Sequence, residues 1–240
     1  MLQLKDIHWS LPTGEELIKG IDLKIEPGKL TVVTGPNGGG KTSLAKLIAG
    51  LNTPTKGQIL LNGKDITNAS ITDRAKQGIS YAFQQPVRFK GLTVAQLLNI
   101  AAGEELSKAT VCELLGKVGL CANEYMNRPM DSHLSGGESK RIEIATVLAR
   151  KSSVVVFDEP EAGIDLWSFT SLIDTFRVLK DEQDGALLVI SHQERILEIA
   201  DTIVVIADGR IRVSGSSEEI MPQLLNNEYM KSCRIIEREN

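Results

Sequence analysis

This 240-residue sequence has few aromatic residues, few cysteines and no excess of positive charge. Five Phe, three Tyr and two Trp leave few rings on which single-stranded nucleic acid could stack. The 27 Lys and Arg stand against 31 Asp and Glu, and the net charge of −4 argues against a binder of phosphate backbones. We therefore expect no nucleic acid among the partners.

Three features of other protein classes are also missing. Cys112, Cys121 and Cys233 form no C-x-x-C pair, so the sequence predicts neither a disulfide framework nor a metal site held by cysteines. No apolar run reaches the length of a membrane-spanning helix, and the N-terminus lacks the basic start and apolar stretch of a secretion signal. These absences predict a cytoplasmic protein.

Strand and helix patterns alternate along much of the chain. Residues 21–25 alternate apolar and charged side chains, which is typical of a half-buried strand. Residues 30–34, 153–157 and 186–190 are almost wholly apolar, as expected of parallel strands covered on both faces. Residues 43–51 carry leucine and isoleucine at helical spacing. The order of these patterns predicts an α/β fold.

The middle and the end of the chain carry different patterns. Residues 86–150 have helical spacing and no clear strand, which indicates an inserted helical subdomain, with Thr93 as a helix cap. Near the end, Asp208-Gly209 between two apolar runs predicts a hairpin, and a helical tail is expected over about 216–240. We expect residues 1–240 to form a single domain.

A glycine-rich segment follows the first buried strand. Residues 35–42 match the P-loop pattern G-x-x-x-x-G-K-[ST], between a predicted strand and a predicted helix. Backbone amides of such a loop wrap a phosphate, the lysine reaches the outer phosphates, and the hydroxyl binds Mg²⁺. The alternative is a glycine-rich turn without a ligand. The predicted nucleotide-binding residues are Gly35, Pro36, Asn37, Gly38, Gly39, Gly40, Lys41, Thr42 and Ser43.

Two adjacent carboxylates end the buried strand at residues 153–157. Asp158 and Glu159 stand at the edge where an open parallel sheet binds its ligands. Beside a P-loop, Asp158 is expected to hold the metal, and Glu159 to polarise a water for attack on the γ-phosphate. Alone, the pair would more often be a solvated loop start or a helix cap.

The segment Leu-Ser-Gly-Gly-Glu at residues 134–138 precedes a helical pattern. Ser135 and Glu138 fit a capping box, whereas Gly136 and Gly137 cost helix propensity and bare backbone amides for an anion. Placed between a P-loop and an Asp-Glu strand, this segment resembles the signature motif of the ABC ATPase family.

The resemblance covers residues 2 to about 215 and implies further site residues. It implies an ABC-type nucleotide-binding domain: a RecA-like core, an antiparallel β subdomain and an inserted helical subdomain. Gln84 corresponds to the Q-loop glutamine, which contacts the metal and senses the partner domain. Asp165 ends a segment that resembles the D-loop, and His192 resembles the switch histidine at the γ-phosphate.

The resemblance also implies ATP, Mg²⁺ and a second copy of the chain. In this family two domains face each other head to tail, so that ATP on one P-loop is covered by Ser135, Gly136, Gly137 and Glu138 of the other. ATP binding closes the pair and hydrolysis reopens it. The motion passes to a protein docked near Gln84 and the helical subdomain.

The position that usually holds an adenine-stacking aromatic residue is aliphatic here. Leu11 stands at that position, and Trp9 lies two residues earlier. Trp9 would share the strand face of Leu11 only without an intervening bulge. Loss of stacking would relax the preference for ATP over GTP.

Within the family, the chain is most similar to SufC-type ATPases of iron–sulfur cluster assembly. The residues that carry this similarity are 138–143 after the signature glycines, 82–87 around Gln84, and Ile7-His8. The implied partner is a soluble SufB/SufD-like scaffold. The alternative is a transporter subunit that is peripheral to the membrane and docks on a permease. Only about fifty residues separate Gln84 from Ser135, too few for the coiled coil of chromosome and repair ATPases.

Overall fold

The computed structural model describes residues 1–83, 89, 91–130, 134–182 and 184–226. The strands are β1 (Leu2–Ser10), β2 (Glu16–Ile25), β3 (Leu30–Thr34), β4 (Lys56–Leu61), β5 (Lys64–Asp65), β6 (Ile79–Ala82), β7 (Val154–Asp158), β8 (Ala186–Ile190), β9 (Thr202–Ala207) and β10 (Arg210–Gly215). The helices are α1 (Lys41–Ala49), α2 (Ile71–Lys76), α3 (Val94–Ala102), α4 (Lys108–Lys117), α5 (Ala122–Tyr125), α6 (Gly136–Arg150), α7 (Leu166–Glu182), α8 (Glu194–Glu198) and α9 (Ser217–Leu225).

A six-stranded sheet forms the centre of the molecule, in the order β10-β9-β3-β8-β7-β6. All its neighbours pair in parallel except β9 and β10, which form the predicted hairpin. Every residue of β3, β7 and β8 is buried, because helices and a second sheet cover both faces. The predicted buried strands are therefore confirmed.

A smaller antiparallel sheet has the order β2-β1-β4-β5. Its strand β1 contains a bulge, since Asp6 has a φ of 47° and the register with β2 shifts between Leu4 and Ile7. The bulge keeps Leu2, Leu4 and Ile7 in one buried core although their spacing is uneven. This irregular spacing explains why alternation alone did not predict β1.

Helices α3 to α6 lie between β6 and β7 and pack on one face of the larger sheet. Their apolar residues share a core with Leu30, Val155 and Val189 of the sheet. Thr93 caps α3 through a capping box, as predicted. The division into a helical subdomain over 86–150 and a single domain over 1–240 stays a prediction, and residues 227–240 of the expected tail, with Cys233, lie outside the described residues.

No helix within the described part of the chain is long and apolar enough to span a membrane.

A buried arginine closes the C-terminal end of α1, the helix that follows the P-loop. Arg74 is 1% exposed, and its guanidinium donates to the carbonyls of Leu47 at 2.5 Å and Ile48 at 2.9 Å. It also donates to the carbonyls of Thr67 at 2.7 Å and Ala69 at 3.1 Å. Because the last carbonyls of a helix lack helical partners and carry partial negative charge, the cation stabilises this end.

We expect Arg74→Met to lower the free energy of unfolding by about 3 kcal/mol, because buried carbonyls left without a donor cost about 1–3 kcal/mol each. Urea unfolding followed by circular dichroism measures the change. Arg177→Met is the matched control: Arg177 forms an exposed pair with Asp174 at 3.0 Å, and such pairs contribute about 0.2–1 kcal/mol. Equal losses in the two variants would contradict the assignment.

Candidate functional site

The predicted P-loop connects β3 to α1, and its backbone comes close to neighbouring segments. Gly40, the residue before α1, has a φ of 103°, and a Cβ there would lie 2.7 Å from Cδ1 of Ile18. Lys41 is buried, and its ammonium donates to the carbonyls of Gly35 and Pro36, each at 2.8 Å. Burial lowers the pKa of Lys41, while Glu159 and Asp158 raise it. The lysine is thus held beside the loop that it is predicted to serve.

The two predicted metal ligands that the structure describes lie together. The Thr42 hydroxyl donates to Oδ1 of Asp158 at 3.2 Å, although 116 residues separate them in the chain. A hydroxyl and a carboxylate are hard oxygen donors, which suit Mg²⁺ bound by one or two protein groups together with substrate phosphates. The donor set therefore fits the predicted ion.

Tyr81 is a site residue that the sequence analysis missed. Its hydroxyl donates to Oδ2 of Asp158 at 2.9 Å, so the aspartate is held from both sides. Burial, with the nearby charge of Asp158, raises the pKa of Tyr81 and keeps the hydroxyl protonated. The sequence signal was the strand at residues 79–83, but only the pairing of β6 with β7 places this ring near Asp158.

The predicted base and the predicted switch histidine face each other. Nε2 of His192 lies 3.9 Å from Oε1 of Glu159. Burial and the charge of Lys41 lower the pKa of His192, although Glu159 opposes them, and this shift disfavours the imidazolium form. Glu159 has a φ of 46°, a left-handed conformation that is costly for a residue with a side chain. Such backbone strain persists only where the surrounding contacts hold the residue in place, and it is common at active sites.

The signature segment forms the start of α6. Ser135 caps the helix, and its capping box with Glu138 is complete. Burial raises the pKa of Glu138, but hydrogen bonds from Tyr125 and from Ser135 bring it below its ordinary value. Arg128 lies over the ring of Tyr125, 4.4 Å from its centre. The Glu138 carboxylate, and with it the cap, is therefore anchored by the helical layer.

The two signature glycines pack against the segment predicted as the D-loop. A Cβ on Gly136 would lie 2.9 Å from the carbonyl oxygen of Gly163, and one on Gly137 would lie 2.5 Å from Cβ of Ser168. Asp165 caps α7, because its Oδ1 accepts from the amide of Ser168 at 3.0 Å. The glycines thus have a packing reason that the sequence analysis missed, in addition to their predicted exposure of amides.

A buried ion pair on α6 holds the end of β6. Nζ of Lys140 donates to the carbonyl of Phe83 at 2.5 Å and to Oε2 of Glu143 at 2.9 Å. The amide of Phe83 also donates toward the Glu143 carboxylate, whose pKa is raised by burial and lowered in part by these partners. Gln84, predicted to contact the metal, comes next in the chain and lies outside the described residues.

The structure also answers the geometric question about Trp9. The register between β1 and β2 shifts between Trp9 and Ser10, so a bulge intervenes before the position of Leu11. Trp9 is half-buried and packs against the same core as Ile7. Trp9 therefore does not simply take the place of the missing aromatic residue at position 11.

Comparisons with known proteins identify the family of the chain. A family model described as ABC transporter matches residues 18–162. An uncharacterized ABC transporter ATP-binding protein of Methanocaldococcus jannaschii is 36% identical over 241 residues, which cover 97% of this chain and 94% of that protein. The sulfate/thiosulfate import ATP-binding protein CysA of Synechocystis is 38% identical over 85% of this chain, and the chain spans 57% of its length.

The fold has close counterparts among solved structures. The crystal structure of a nucleotide-free ATP-binding cassette from an ABC transporter matches with a TM-score of 0.80 at 26% identity, over 94% of this chain and 95% of that one. The match includes both the site-bearing sheet and the helical layer, since nearly all of each chain is covered. The chain therefore belongs to the ABC transporter family, as an ATP-binding ATPase domain whose nucleotide is ATP and whose metal is Mg²⁺.

Proposed function

We propose that the chain hydrolyses ATP in a head-to-tail dimer and passes the resulting motion to a membrane permease. The observation that carries the proposal is the convergence of Lys41, Thr42, Asp158, Glu159 and His192 at one edge of the larger sheet. These residues supply a phosphate cradle, a metal-binding pair, a base and a polar group that faces the base. Phosphoryl transfer to water needs this combination.

Each residue has a separate part in the proposed reaction. Lys41 and the P-loop amides bind the β- and γ-phosphates, and Thr42 with Asp158 would hold Mg²⁺, which neutralises charge on the phosphate oxygens when bound. Glu159 accepts the proton of the attacking water. His192 donates a hydrogen bond near the γ-phosphate and orients Glu159, which lies 3.9 Å from it. Gln84 completes the metal site in this proposal.

The second copy of the chain supplies the other half of each site. Gly136, which is exposed, and Gly137 begin α6 after the cap residue Ser135, and the partial positive charge at this helix N-terminus favours a phosphate. Beside them, Leu166 at the start of α7 is 73% exposed, which suits burial against another copy. We infer that this face covers the ATP bound to the P-loop of the partner chain.

The partner protein is proposed to dock in an apolar groove at Phe83, the residue that precedes Gln84 in the chain. A cavity of about 320 Å³ lies between the end of β6 and helices α3 and α6. Phe83 and Phe89 are each 40% exposed at its rim, and Ile100 is 63% exposed. Large exposed apolar side chains gathered at one groove mark a protein-binding surface. An amphipathic cytoplasmic helix of a permease fits such a groove, because it buries its apolar face against these three residues.

The similar proteins favour a permease as the occupant. The M. jannaschii relative, which matches over 94% of its length, is described as a transporter ATP-binding protein, and CysA is described as a sulfate/thiosulfate import ATP-binding protein. The cargo of this chain does not follow from CysA, because the chain spans only part of that protein. The proposed location is the cytoplasmic face of a membrane.

One observation keeps iron–sulfur cluster assembly as a second candidate. Lys140 and Glu143 belong to residues 138–143, which resemble SufC, and they bind both backbone groups of Phe83 in the SufC-like segment 82–87. Residues from two of the SufC-like segments are therefore in direct contact. In this candidate a soluble SufB/SufD-like scaffold occupies the groove in place of a permease.

The first experiment separates binding from hydrolysis. Glu159→Gln is expected to bind ATP, to form a stable ATP-dependent dimer on gel filtration, and to lose about 100-fold or more in turnover, because general-base catalysis contributes about 10²–10⁴-fold. Lys41→Ala is expected to bind ATP poorly and to stay monomeric. Glu218→Gln, an exposed change on α9, is the control. Normal turnover by Glu159→Gln would contradict the role of the base.

The signature glycine should act on the other chain of the dimer. A methyl group at position 137 meets Ser168, so Gly137→Ala is expected to displace the signature segment and to lower ATPase activity about 10-fold or more. Gly116→Ala on α4, where a Cβ meets open space, is the matched control and should retain activity. Mixing Gly137→Ala with Lys41→Ala chains should restore activity, because one site of the mixed dimer is intact. No recovery on mixing would contradict the head-to-tail arrangement.

The docking groove can be tested through what purifies with the chain. Ile100→Asp places a charge in the groove and is expected to abolish recovery of the partner and partner-stimulated ATP hydrolysis, whereas Leu225→Asp, also exposed but on α9, should recover it normally. Thermal unfolding checks that both variants are folded. Recovery of a polytopic membrane protein supports the permease, and recovery of a cysteine-bearing partner without detergent, with iron and sulfide, supports the scaffold. Equal partner recovery by both variants would contradict the groove.

A further inference from the structure

Ser191 lies between β8 and the switch histidine and is fully buried. Its amide donates to the carbonyl of Val33 at 3.2 Å, on the strand that leads into the P-loop. Its hydroxyl accepts from the amide of Gln193 at 3.0 Å and donates to Oε1 of Glu161 at 2.5 Å. Ser191 therefore fixes the turn that carries His192 to two other segments of the site.

Glu161 is the acidic partner of this serine, and it lies two residues after Glu159. Its Oε2 is buried and has no hydrogen-bond partner among the described residues. Burial raises the pKa of Glu161, the hydrogen bonds from Ser191 and from the amides of Glu161 and His192 lower it in part, and the charge of Glu159 raises it further. Burying such a group with half of its bonding capacity unused costs free energy. The sequence analysis gave neither Glu161 nor Ser191 a role.

The segments that carry Glu159 and His192 are also joined through the backbone. The amide of Glu159 donates to the carbonyl of Ile190 at 3.0 Å, which continues the pairing of β7 with β8. Beyond that bond the chain turns sharply, since Glu159 has a φ of 46° and its carbonyl accepts from Ala162 at 3.0 Å. The bond from Ser191 to Glu161 adds a side-chain link across these two turns.

We propose that the Ser191–Glu161 hydrogen bond is a positioning clamp, which holds the turn of Glu159 against the turn of His192 and fixes the 3.9 Å between their side chains. The inference rests on the proposed hydrolysis of ATP. In this proposal Glu161 and Ser191 are positioning residues, because they act through Glu159 and His192. Displacement of a catalytic group by about 1 Å can cost about 100-fold in rate, so a short bond at this place controls the rate.

A hydrogen bond between two other buried side chains serves as a comparison, because it lies far from the site and contributes to structure alone. Ser80 on β6 and Ser152 before β7 share a hydrogen bond of 2.5 Å, equal in length to the Ser191–Glu161 bond. Ser152 precedes the N-terminal end of β7, whereas the site lies at the opposite end of that strand. Loss of the Ser152 hydroxyl should therefore lower the stability of the fold and leave the rate of ATP hydrolysis unchanged.

The experiment compares Ser191→Ala, Glu161→Ala, their double variant, Glu161→Gln and Ser152→Ala in the full chain. The readouts are the equilibrium affinity for ATP and the single-turnover rate of hydrolysis per bound ATP, which does not depend on the fraction of folded protein. Ser191→Ala and Glu161→Ala should each lower that rate about 10-fold, with affinity within about two-fold of wild type. The double variant should be no slower than the slower single one, since both changes break one bond.

Two variants distinguish positioning from packing. Glu161→Gln keeps an oxygen that can accept from Ser191 and should retain the rate within about three-fold, which corresponds to less than about 1 kcal/mol. Ser152→Ala should lower the unfolding temperature and leave the rate per bound ATP unchanged. If Glu161→Ala does not fold, Ser191→Ala with Glu161→Gln still tests the clamp.

Three results would overturn the clamp. Losses that multiply in the double variant, an unchanged rate in Ser191→Ala, or an equal loss of rate in Ser152→Ala would each contradict it. These outcomes are separable from failure of the proposed function. If wild type hydrolyses ATP and Glu159→Gln does not, an unaffected Ser191→Ala overturns the clamp alone. If Glu159→Gln hydrolyses ATP as fast as wild type, both proposals fall.

Discussion

Parallel pairing of β3 with β8 and of β8 with β7 brings three loops to one edge of the larger sheet. The P-loop follows β3. Asp158 is the last residue of β7 and Glu159 comes next, while Ser191 and His192 follow β8. Since the carboxyl ends of parallel strands lie at the same edge, residues more than a hundred positions apart in the sequence meet there. The bond from Thr42 to Asp158 and the approach of His192 to Glu159 are consequences of this pairing.

The strands can hold costly groups at their ends because they are themselves fully buried. β3, β7 and β8 expose no residue, so their positions are fixed by packing on both faces. Three unfavourable features lie on the loops that they carry: the left-handed backbone of Glu159, the desolvated ammonium of Lys41 and the half-bonded carboxyl of Glu161. A looser sheet would let each of them relax, and the geometry between base and histidine would be lost.

The sequence predicts what depends on local spacing and misses what depends on register. The P-loop between β3 and α1, the strands β3, β7 and β8, the helix cap at Thr93 and the capping box of Ser135 are confirmed, because each is specified within a few adjacent residues. The bulge at Asp6 interrupts the alternation of apolar residues in β1, so this alternation did not predict the strand. Tyr81 beside Asp158 and Arg74 at the end of α1 depend on contacts between distant segments. A single sequence does not encode such contacts in any short pattern, so these residues appeared only in three dimensions.

Helix α6 touches the nucleotide edge at two levels about one turn apart. At its start, Gly136 and Gly137 pack against Gly163 and Ser168 of the D-loop region. One turn later, Lys140 and Glu143 hydrogen-bond with the backbone of Phe83. A rotation of α6 must therefore disturb the D-loop region and the end of β6 together. The rim of the apolar groove includes Phe83, and the residue after Phe83 is Gln84. In the proposed assembly, a partner that enters this groove contacts the helix that carries the signature segment, so we expect docking to be coupled to closure over ATP.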